Sequence, residues 1–272
     1  MREITDTVKQ LIIINIIFFI GTELIGTQAK ELLSLYYFES SKFRFWQPIT
    51  HIFMHGGIMH IAFNMFALYS FGSMLESFWG GKKFLFFYIS CGLGAAALHT
   101  GISYFEMQDM LKGVSDLNLS KETMNQILSL TVSDDFSYRP DLFVKELEPL
   151  MNSLGKTQLI NDANFEILFE TAKHSQIPMV GASGAIYGLL VAFAFMFPNA
   201  GLMLLFVPFP IKAKYFVPGL LVVDLFLGLK GNSIFGGGGT GIAHFAHIGG
   251  ALIGFIMMWF WKKNSFNDRR WN

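Results

Sequence analysis

The chain has 272 residues and a formal net charge of +0; 52% of its residues are hydrophobic and only 15% are charged. Soluble domains carry about 25% charged residues, and a soluble chain of this size could not bury so much apolar side chain. A membrane protein with the lipid bilayer as its surroundings is therefore expected. The neutral balance gives no basis for nucleic-acid binding, and the single cysteine, Cys91, excludes an intrachain disulfide.

Four long stretches contain no Asp, Glu, Lys or Arg: residues 45–75, 84–105, 174–211 and 231–261. Because a membrane helix needs about 20 apolar residues, each stretch can hold one. A weaker apolar segment begins at residue 11 and resembles a signal peptide, but we interpret it as a retained first helix. A second weak segment contains Asp224. The sequence thus predicts six transmembrane helices, at about residues 11–27, 51–72, 84–104, 178–197, 214–230 and 241–261.

Basic residues lie beside alternate ends of these predicted helices. An excess of Lys and Arg marks the cytoplasmic side of a membrane, so these ends and both termini are expected in the cytoplasm. A compact chain without a targeting extension favours a cell membrane, with a bacterial inner membrane as our interpretation. The residues concerned are Arg2, Lys9, Lys82, Lys83, Lys212, Lys214, Lys262, Lys263, Arg269 and Arg270.

Residues 106–173 interrupt the apolar pattern, since charged residues return and acidic ones outnumber basic ones. They divide the chain into three predicted parts: helices one to three in 1–105, a polar extracytoplasmic insert in 106–173, and helices four to six in 174–272. Apolar residues at helical spacing predict short amphipathic helices around 143–147 and 159–168. Two interpretations of the insert stay open, a solvated segment without a catalytic role and a platform for a substrate or partner.

A serine and a histidine stand out among the polar residues of the spans, where polar groups are costly and therefore candidates for function. Ser183 in predicted helix four and His247 in predicted helix six lie at a similar depth, roughly 8–9 Å from the outer side. A hydroxyl within hydrogen-bond reach of an imidazole is the minimal pair of nucleophile and base. We therefore predict that Ser183 attacks a carbonyl and that His247 takes its proton.

Donors for the resulting oxyanion are predicted on the second helix. His60 and Asn64 are spaced i, i+4 and therefore share one helix face. Together with the backbone N–H of Ser183 they form a set of donors near a helix N-terminus. Small residues from Gly181 onward leave space around the serine, and a glycine stripe beside His247 would bring its helix close to a neighbour.

Three segments together resemble the rhomboid intramembrane proteases. They are residues 55–64, HGGIMHIAFN; residues 181–184, GASG; and residues 246–254, AHIGGALIG. The glycines and glutamate of residues 72–80 are similar to the family's GxxxExxxG signature. The resemblance covers all six predicted spans in order, so the expected fold is an all-α, six-transmembrane-helix bundle of the rhomboid type. Only the polar insert lies outside it.

The resemblance implies an intramembrane serine endopeptidase with a Ser–His dyad and no third acidic member. It assigns the nucleophile to Ser183, the base to His247, oxyanion contacts to His60 and Asn64, and packing of the imidazole to Tyr187. It also implies a water-accessible cavity that opens outward, with entry between helices two and five. The implied substrates are transmembrane proteins cut in or near their membrane segment. No cofactor and no metal are expected.

One departure from the family pattern concerns the loop before helix two. The family often has Trp-Arg there, whereas this chain has Trp46-Gln47, so a different anchoring of the loop is expected. No role is assigned to Asp224, His244 is interpreted as a loop or interface group, and the glycines of residues 236–239 as a flexible cap or a plain linker.

Three other functions are less well supported by the sequence. His51, His55 and His60 invite a metal site, but HExxH is absent, and His55 and His60 point about 140° apart around a helix. A catalytically silent rhomboid-like binding protein is the main alternative, although such relatives typically lack the serine or the histidine. A transporter would often show repeated hydropathy patterns, and none is seen.

Overall fold

The structure, a computed structural model, describes residues 3–134, 137–202, 210–230 and 242–265, with side chains of the last helix described for residues 244–262. Its contacts divide the chain into two compact units. The first consists of Met1–Ser34, Trp46–His99 and Met179–Asn272, and the second of Leu35–Phe45 and Thr100–Pro178. The glycines interpreted as a flexible cap or a plain linker, residues 236–239, lie outside the described residues.

The described secondary structure is almost entirely helical, which confirms the predicted all-α class. In chain order the helices are α1 (Asp6–Ile25), α2 (Thr27–Leu33), α3 (Gln47–Thr50), α4 (Ile58–Ala67), α5 (Ser73–Trp79), α6 (Gly81–Lys112), α7 (Lys121–Leu128), α8 (Pro140–Ser153), α9 (Asp162–Gln176), α10 (Ser183–Met196), α11 (Ala213–Lys230) and α12 (Ile242–Ser265). A wide turn at Leu68–Gly72 joins α4 to α5. Two short strands, β1 (Gly201–Leu202) and β2 (Ile211–Lys212), pair antiparallel before α11.

Four helices of the described chain are long and apolar enough to cross a membrane: Asp6–Ile25, Ile58–Trp79, Gly81–Lys112 and His244–Lys262. The apolar helix α10 has 14 residues, which is about 21 Å at 1.5 Å per residue and shorter than a hydrocarbon core of about 30 Å. α11 has 18 residues and contains both Pro218 and Asp224. The membrane bundle is therefore supported by four spans, and the count of six stays a prediction.

The predicted ends of three helices are wrong. The second does not run from 51 to 72, because a short 3-10 turn at His51–Phe53 precedes it and the helix itself spans Ile58–Trp79. The third does not end at 104 but continues to Lys112. The fourth begins at Ser183, not 178. Each predicted boundary was drawn from the absence of charged residues. The observed starts are later because glycines disfavour helix, and the third helix is longer because Met, Gln, Leu and Lys are good helix formers.

Glu76, which extends the second span beyond its predicted end, binds the start of the first helix. Its carboxylate accepts hydrogen bonds from the Thr5 hydroxyl at 2.5 Å, from the Thr7 backbone N–H at 3.0 Å and from the Val8 backbone N–H at 2.9 Å. The first N–H groups of a helix have no partner within the helix, and a carboxylate there also interacts favourably with the helix dipole. Glu76 therefore caps α1 from the end of the second span.

Inside the first unit, α10 is the most completely buried helix, with nine of its residues buried from Gly184 to Phe193. Other helices of this unit expose large apolar side chains, such as Leu24, Phe66, Leu229 and Trp259. Apolar exposure on this scale is unusual for a soluble protein and suits contact with lipid. The buried helix is the one that carries Ser183.

The second unit has a hydrophobic core of its own. Phe143, Leu147 and Met151 of α8 pack in one cluster with Leu168 and Phe169 of α9. These residues recur every three or four positions, and the predicted amphipathic helices of this segment are thereby confirmed. The cluster also includes Met107, Val114, Leu117, Ile127, Leu128, Val132, Ala172 and Tyr37.

Candidate active site

Ser183 and His247 come together within the first unit. His247 Nε2 lies 2.9 Å from Ser183 Oγ, a hydrogen-bond distance, although the two residues are 64 positions apart in the chain. Ser183 is the first residue of α10, and His247 lies in the second turn of α12. Both side chains are partly buried. The geometry therefore allows the imidazole to accept the proton of the hydroxyl, as a nucleophile and its base require.

The two helices approach closely because glycines line their contact. A Cβ added at Gly250 of α12 would overlap the carbonyl oxygen of Gly184, and one added at Gly254 would come within 2.8 Å of the Cα of Gly188. Backbone atoms cannot move aside as a flexible side chain can. The predicted glycine stripe next to His247 thus does bring α12 against α10, and the contact is made backbone to backbone.

The ring of Tyr187 stacks on His247. The ring centroids lie 4.2 Å apart and the planes differ by 9°. Tyr187 follows Ser183 by one helical turn, so the two side chains lie on the same face of α10. Such stacking limits rotation of the imidazole out of the plane in which it meets the hydroxyl.

Gly181 lies in the turn that leads into α10 and adopts a φ of +126°, a backbone angle that residues other than glycine rarely adopt. A Cβ at this position would meet His60 Cε1 and Nε2, each at 2.9 Å, and Ser183 Oγ at 3.6 Å. The backbone N–H of Gly181 donates to the carbonyl of His51 at 2.9 Å. Gly181 therefore leaves space between the imidazole of His60 and the serine hydroxyl.

His60 and Asn64 stand on α4, as predicted. The backbone N–H of Gly56 donates to His60 Nδ1 at 3.3 Å, so this nitrogen acts as acceptor and the Nε2 nitrogen, which faces Gly181, carries the proton in the neutral ring. Asn64 is buried, and its side-chain amide nitrogen has no hydrogen-bond partner among the described residues. Both side chains therefore retain a donor that the described contacts do not use.

The loop before α4 is anchored by hydrogen bonds to the last turn of α2. The indole N–H of Trp46 donates to the carbonyl of Leu32 at 2.9 Å, and the amide of Gln47 donates to the carbonyl of Glu31 at 3.0 Å. Thr50 donates to Leu33 at 2.6 Å. The last carbonyls of a helix lack partners within it, so these donors satisfy them. In this loop Gln47 thus makes an anchoring contact at the position where the family often has arginine.

Asp224 of α11, to which the sequence assigned no role, lies beside His247. Its Oδ1 oxygen is 3.2 Å from His247 Nδ1 and 2.5 Å from His244 Nδ1. Asp224 is 1% exposed and His244 is 6% exposed. The signals were present in the sequence, as an acid in an apolar helix and a histidine three positions before His247. Sequence alone could not show that they converge, because the pairing depends on how α11 packs against α12.

Asp224, His244 and His247 also have the side-chain types that commonly bind a metal ion. One ligand atom each from Asp224, His244 and His247 lies within 4.8 Å of the others. His51 and His55, which the sequence marked as a rival metal site, are buried in the segment before α4. His51 Nδ1 is 3.0 Å from the carbonyl of Gln47, and the His55 ring meets His60 edge to face, with centroids 5.0 Å apart.

Comparisons with known proteins identify a family and two relatives that this chain resembles. Residues 42–117 and 157–264 match the Rhomboid domain family. An uncharacterized mitochondrial rhomboid protein of Schizosaccharomyces pombe is 25% identical over 233 residues, which is 82% of this chain and 53% of the relative. The rhomboid protease GluP of Bacillus subtilis is 42% identical over 48 residues, which is 18% of this chain and 10% of the relative. The chain thus spans about half the length of the first relative and a tenth of the second.

Proposed function

The chain belongs to the rhomboid family, and on that premise we propose that it is an intramembrane serine endopeptidase that cuts membrane-anchored proteins in or near their transmembrane segment. The observation that carries this proposal is the distance of 2.9 Å between Ser183 Oγ and His247 Nε2. A serine hydroxyl at the start of a helix, beside an imidazole held by a stacked ring, suits nucleophilic attack far better than passive packing.

In the proposed reaction, the Ser183 oxygen attacks the scissile carbonyl while its proton passes to His247 Nε2. The imidazolium then gives that proton to the leaving amine, and the peptide carbonyl carbon stays bonded to the serine oxygen as an acyl-enzyme. A water molecule next loses a proton to the same nitrogen and attacks the ester, which releases the acid and restores the hydroxyl.

The negative charge that develops on the carbonyl oxygen needs donors held in place beforehand. We assign this role to the Nε2–H of His60, the side-chain amide of Asn64 and the backbone N–H of Ser183. The hydrogen bond from Gly56 to His60 Nδ1 supports the assignment, because it leaves the Nε2 proton available. Loss of one such donor typically lowers the rate by about 10²–10³-fold.

The topology and location are part of the proposal. We propose six membrane helices with both termini in the cytoplasm, and a site that opens to the other side and admits substrate helices between helices two and five. Residues 106–173 would then form an extracytoplasmic insert between helices three and four. The Schizosaccharomyces pombe relative is described as mitochondrial, whereas a bacterial inner membrane is our proposal for this chain.

The experiment that tests the proposal is covalent labelling with a fluorophosphonate probe, which requires no known substrate. The serine oxygen bonds to phosphorus as fluoride leaves, so only an activated hydroxyl reacts at a useful rate. Purified protein in detergent or bilayers should be labelled at Ser183. Ser183→Ala should abolish labelling, and His247→Ala should lower its rate by several powers of ten. The same variants should fail to cleave a reporter with a single membrane span.

A matched control is Ser73→Ala. Ser73 is another buried serine of the first unit, and its hydroxyl has no hydrogen-bond partner among the described residues. This variant should label and cleave like the parent. Labelling that persists in Ser183→Ala would contradict the assignment of the nucleophile to Ser183. A folded parent that neither labels nor cleaves would contradict the proposed activity and favour a catalytically silent binding protein.

A further inference from the structure

Asp224 makes one contact that bears directly on the proposed chemistry. When Ser183 donates its proton to His247 Nε2, that nitrogen must be the unprotonated one, and the ring proton must then reside on Nδ1. The Nδ1 atom faces Asp224 Oδ1 at 3.2 Å. The carboxylate can therefore accept a hydrogen bond from the Nδ1–H group, which favours the tautomer that leaves Nε2 unprotonated.

His244 holds the same carboxylate from a second side. Its Nδ1 lies 2.5 Å from the Oδ1 oxygen that also faces His247. An ionised carboxylate buried to this degree is costly unless donors surround it. The two imidazoles come from successive turns of α12 and converge on the Oδ1 oxygen of Asp224 in α11, so this oxygen is held beside the helix that carries the base.

We propose that Asp224 is a positioning residue of this site, which holds His247 in the tautomer and orientation that reach Ser183, with His244 as the donor that fixes the carboxylate. The inference rests on the proposed function and deepens it. It departs from the arrangement that the family resemblance implies, a pair without a third acidic member. When His247 carries the proton from Ser183, the Asp224 carboxylate lies beside the imidazolium and stabilises it.

The test compares Asp224→Asn with the parent by the rate constant and the final amplitude of fluorophosphonate labelling. The asparagine amide can donate to Nδ1 and so favour the wrong tautomer, and the rate constant should therefore fall by about 10²–10⁴-fold. In reporter cleavage the fall should appear in kcat with little change in KM, since Asp224 acts through its contact with His247. Asp224→Glu should restore part of the lost rate, and His244→Ala should produce a smaller fall in the same direction.

The control is Glu76→Gln, which also replaces a buried carboxylate of the first unit by its isosteric amide. Because Glu76 caps α1 and lies outside the site, its loss should reduce stability and labelling amplitude while the rate constant per reactive serine stays the same. A purely structural role for Asp224 predicts this same pattern. The rate constant of each variant therefore separates positioning from stability.

Three results would overturn the inference. The first is an Asp224→Asn variant that labels with the parental rate constant, with or without a reduced amplitude. The second is failure of Asp224→Glu to recover any rate over Asp224→Asn. The third is loss of parental activity in a chelator and its return with zinc alone, which would make the three residues metal ligands. A parent that does not label at all would instead refute the proposed function, and with it the premise of this inference.

Discussion

The ring of Tyr187 is the side chain through which packing acts most directly on the proposed base. Tyr187→Ala removes the stacked ring, which is worth about 0.5–1.5 kcal/mol. The labelling rate constant should then fall by about 2- to 10-fold, because His247 can rotate away from the serine. Tyr187→Phe keeps the ring but loses the hydroxyl that interacts with Asp224, so its rate constant should fall less than that of Tyr187→Ala. Equal losses in the two variants would show that the hydroxyl, and not the stack, is what His247 needs.

At the scale of residues, the sequence was most informative where a polar group is expensive. Ser183, His247, His60 and Asn64 could be selected because each stands in an apolar span, and the structure brings the first two to a hydrogen-bond distance. Asp224 was selected by the same criterion but not placed. Its partners, His244 and His247, lie on another helix. The sequence gives the length of the connection between the two helices but does not show how the helices pack. The energetic cost of a polar group in an apolar helix identifies such residues, and the packing of the helices determines which contacts they make.

At the scale of helices, the contact between α10 and α12 is a sensitive point. Gly250→Ala should push the helices apart, since its Cβ would overlap the Gly184 carbonyl oxygen. Overpacking of this kind costs about 1–3 kcal/mol. The variant should lose labelling and unfold at lower temperature, as measured by thermal melting in detergent.

The control for this change is Gly21→Ala in α1, where a Cβ would meet nothing within 4 Å. Alanine is the better helix former, by about 0.8–1.0 kcal/mol, so this variant should be at least as stable as the parent. If Gly250→Ala melts and labels like the parent, the close approach of α10 and α12 is not required for the site.

Helix boundaries were harder to predict than helix identity. A charge-free run locates a span, but the second span extends past Glu76 because this carboxylate is fully used as a cap for α1. The fourth helix begins only at Ser183, because the φ of Gly181 ends the preceding extended segment. Both causes are contacts or backbone angles set by distant parts of the chain, and local composition does not contain them.

At the scale of the whole molecule, the second unit includes a segment that the sequence analysis placed in the first predicted part, residues 1–105. Residues Leu35–Phe45 belong to it, and Tyr37 is buried in its core. Glu39 of this segment forms an ion pair with Lys121 at 2.8 Å. Contacts across more than 80 positions are not visible as a periodicity, so the boundaries drawn at residues 105 and 173 stay predictions about organisation.

His174 of α9 provides a test of this unit's stability. Burial lowers the pKa of its imidazole from the ordinary value of about 6.5. The unfolded chain therefore binds more protons, and stability that is present above the ordinary pKa is lost as the pH falls through the lower folded value. Each pKa unit between the folded and unfolded states corresponds to about 1.4 kcal/mol of stability, or a tenfold change in the equilibrium constant for opening of the unit.

Hydrogen exchange of the α9 amides at several pH values, corrected for the intrinsic rate, measures this loss. Protection should decrease between neutral and mildly acidic pH in the parent. His174→Gln retains a polar side chain but does not titrate, so its protection should vary less. An equal decrease in both proteins would assign the effect to another group. Glu106, whose Oε2 lies 3.9 Å from His174 Nε2, would partly offset the loss once the imidazole is charged.

The cap that Glu76 places on α1 has a consequence for the order of assembly. The backbone N–H groups of Thr7 and Val8 find their acceptor 69 and 68 positions later in the chain. During synthesis the first span emerges from the ribosome long before that acceptor exists, and chains generally fold from the N-terminus as they emerge. The first helix can insert early, but the N–H groups at its start are capped by Glu76 only once the second span is in place.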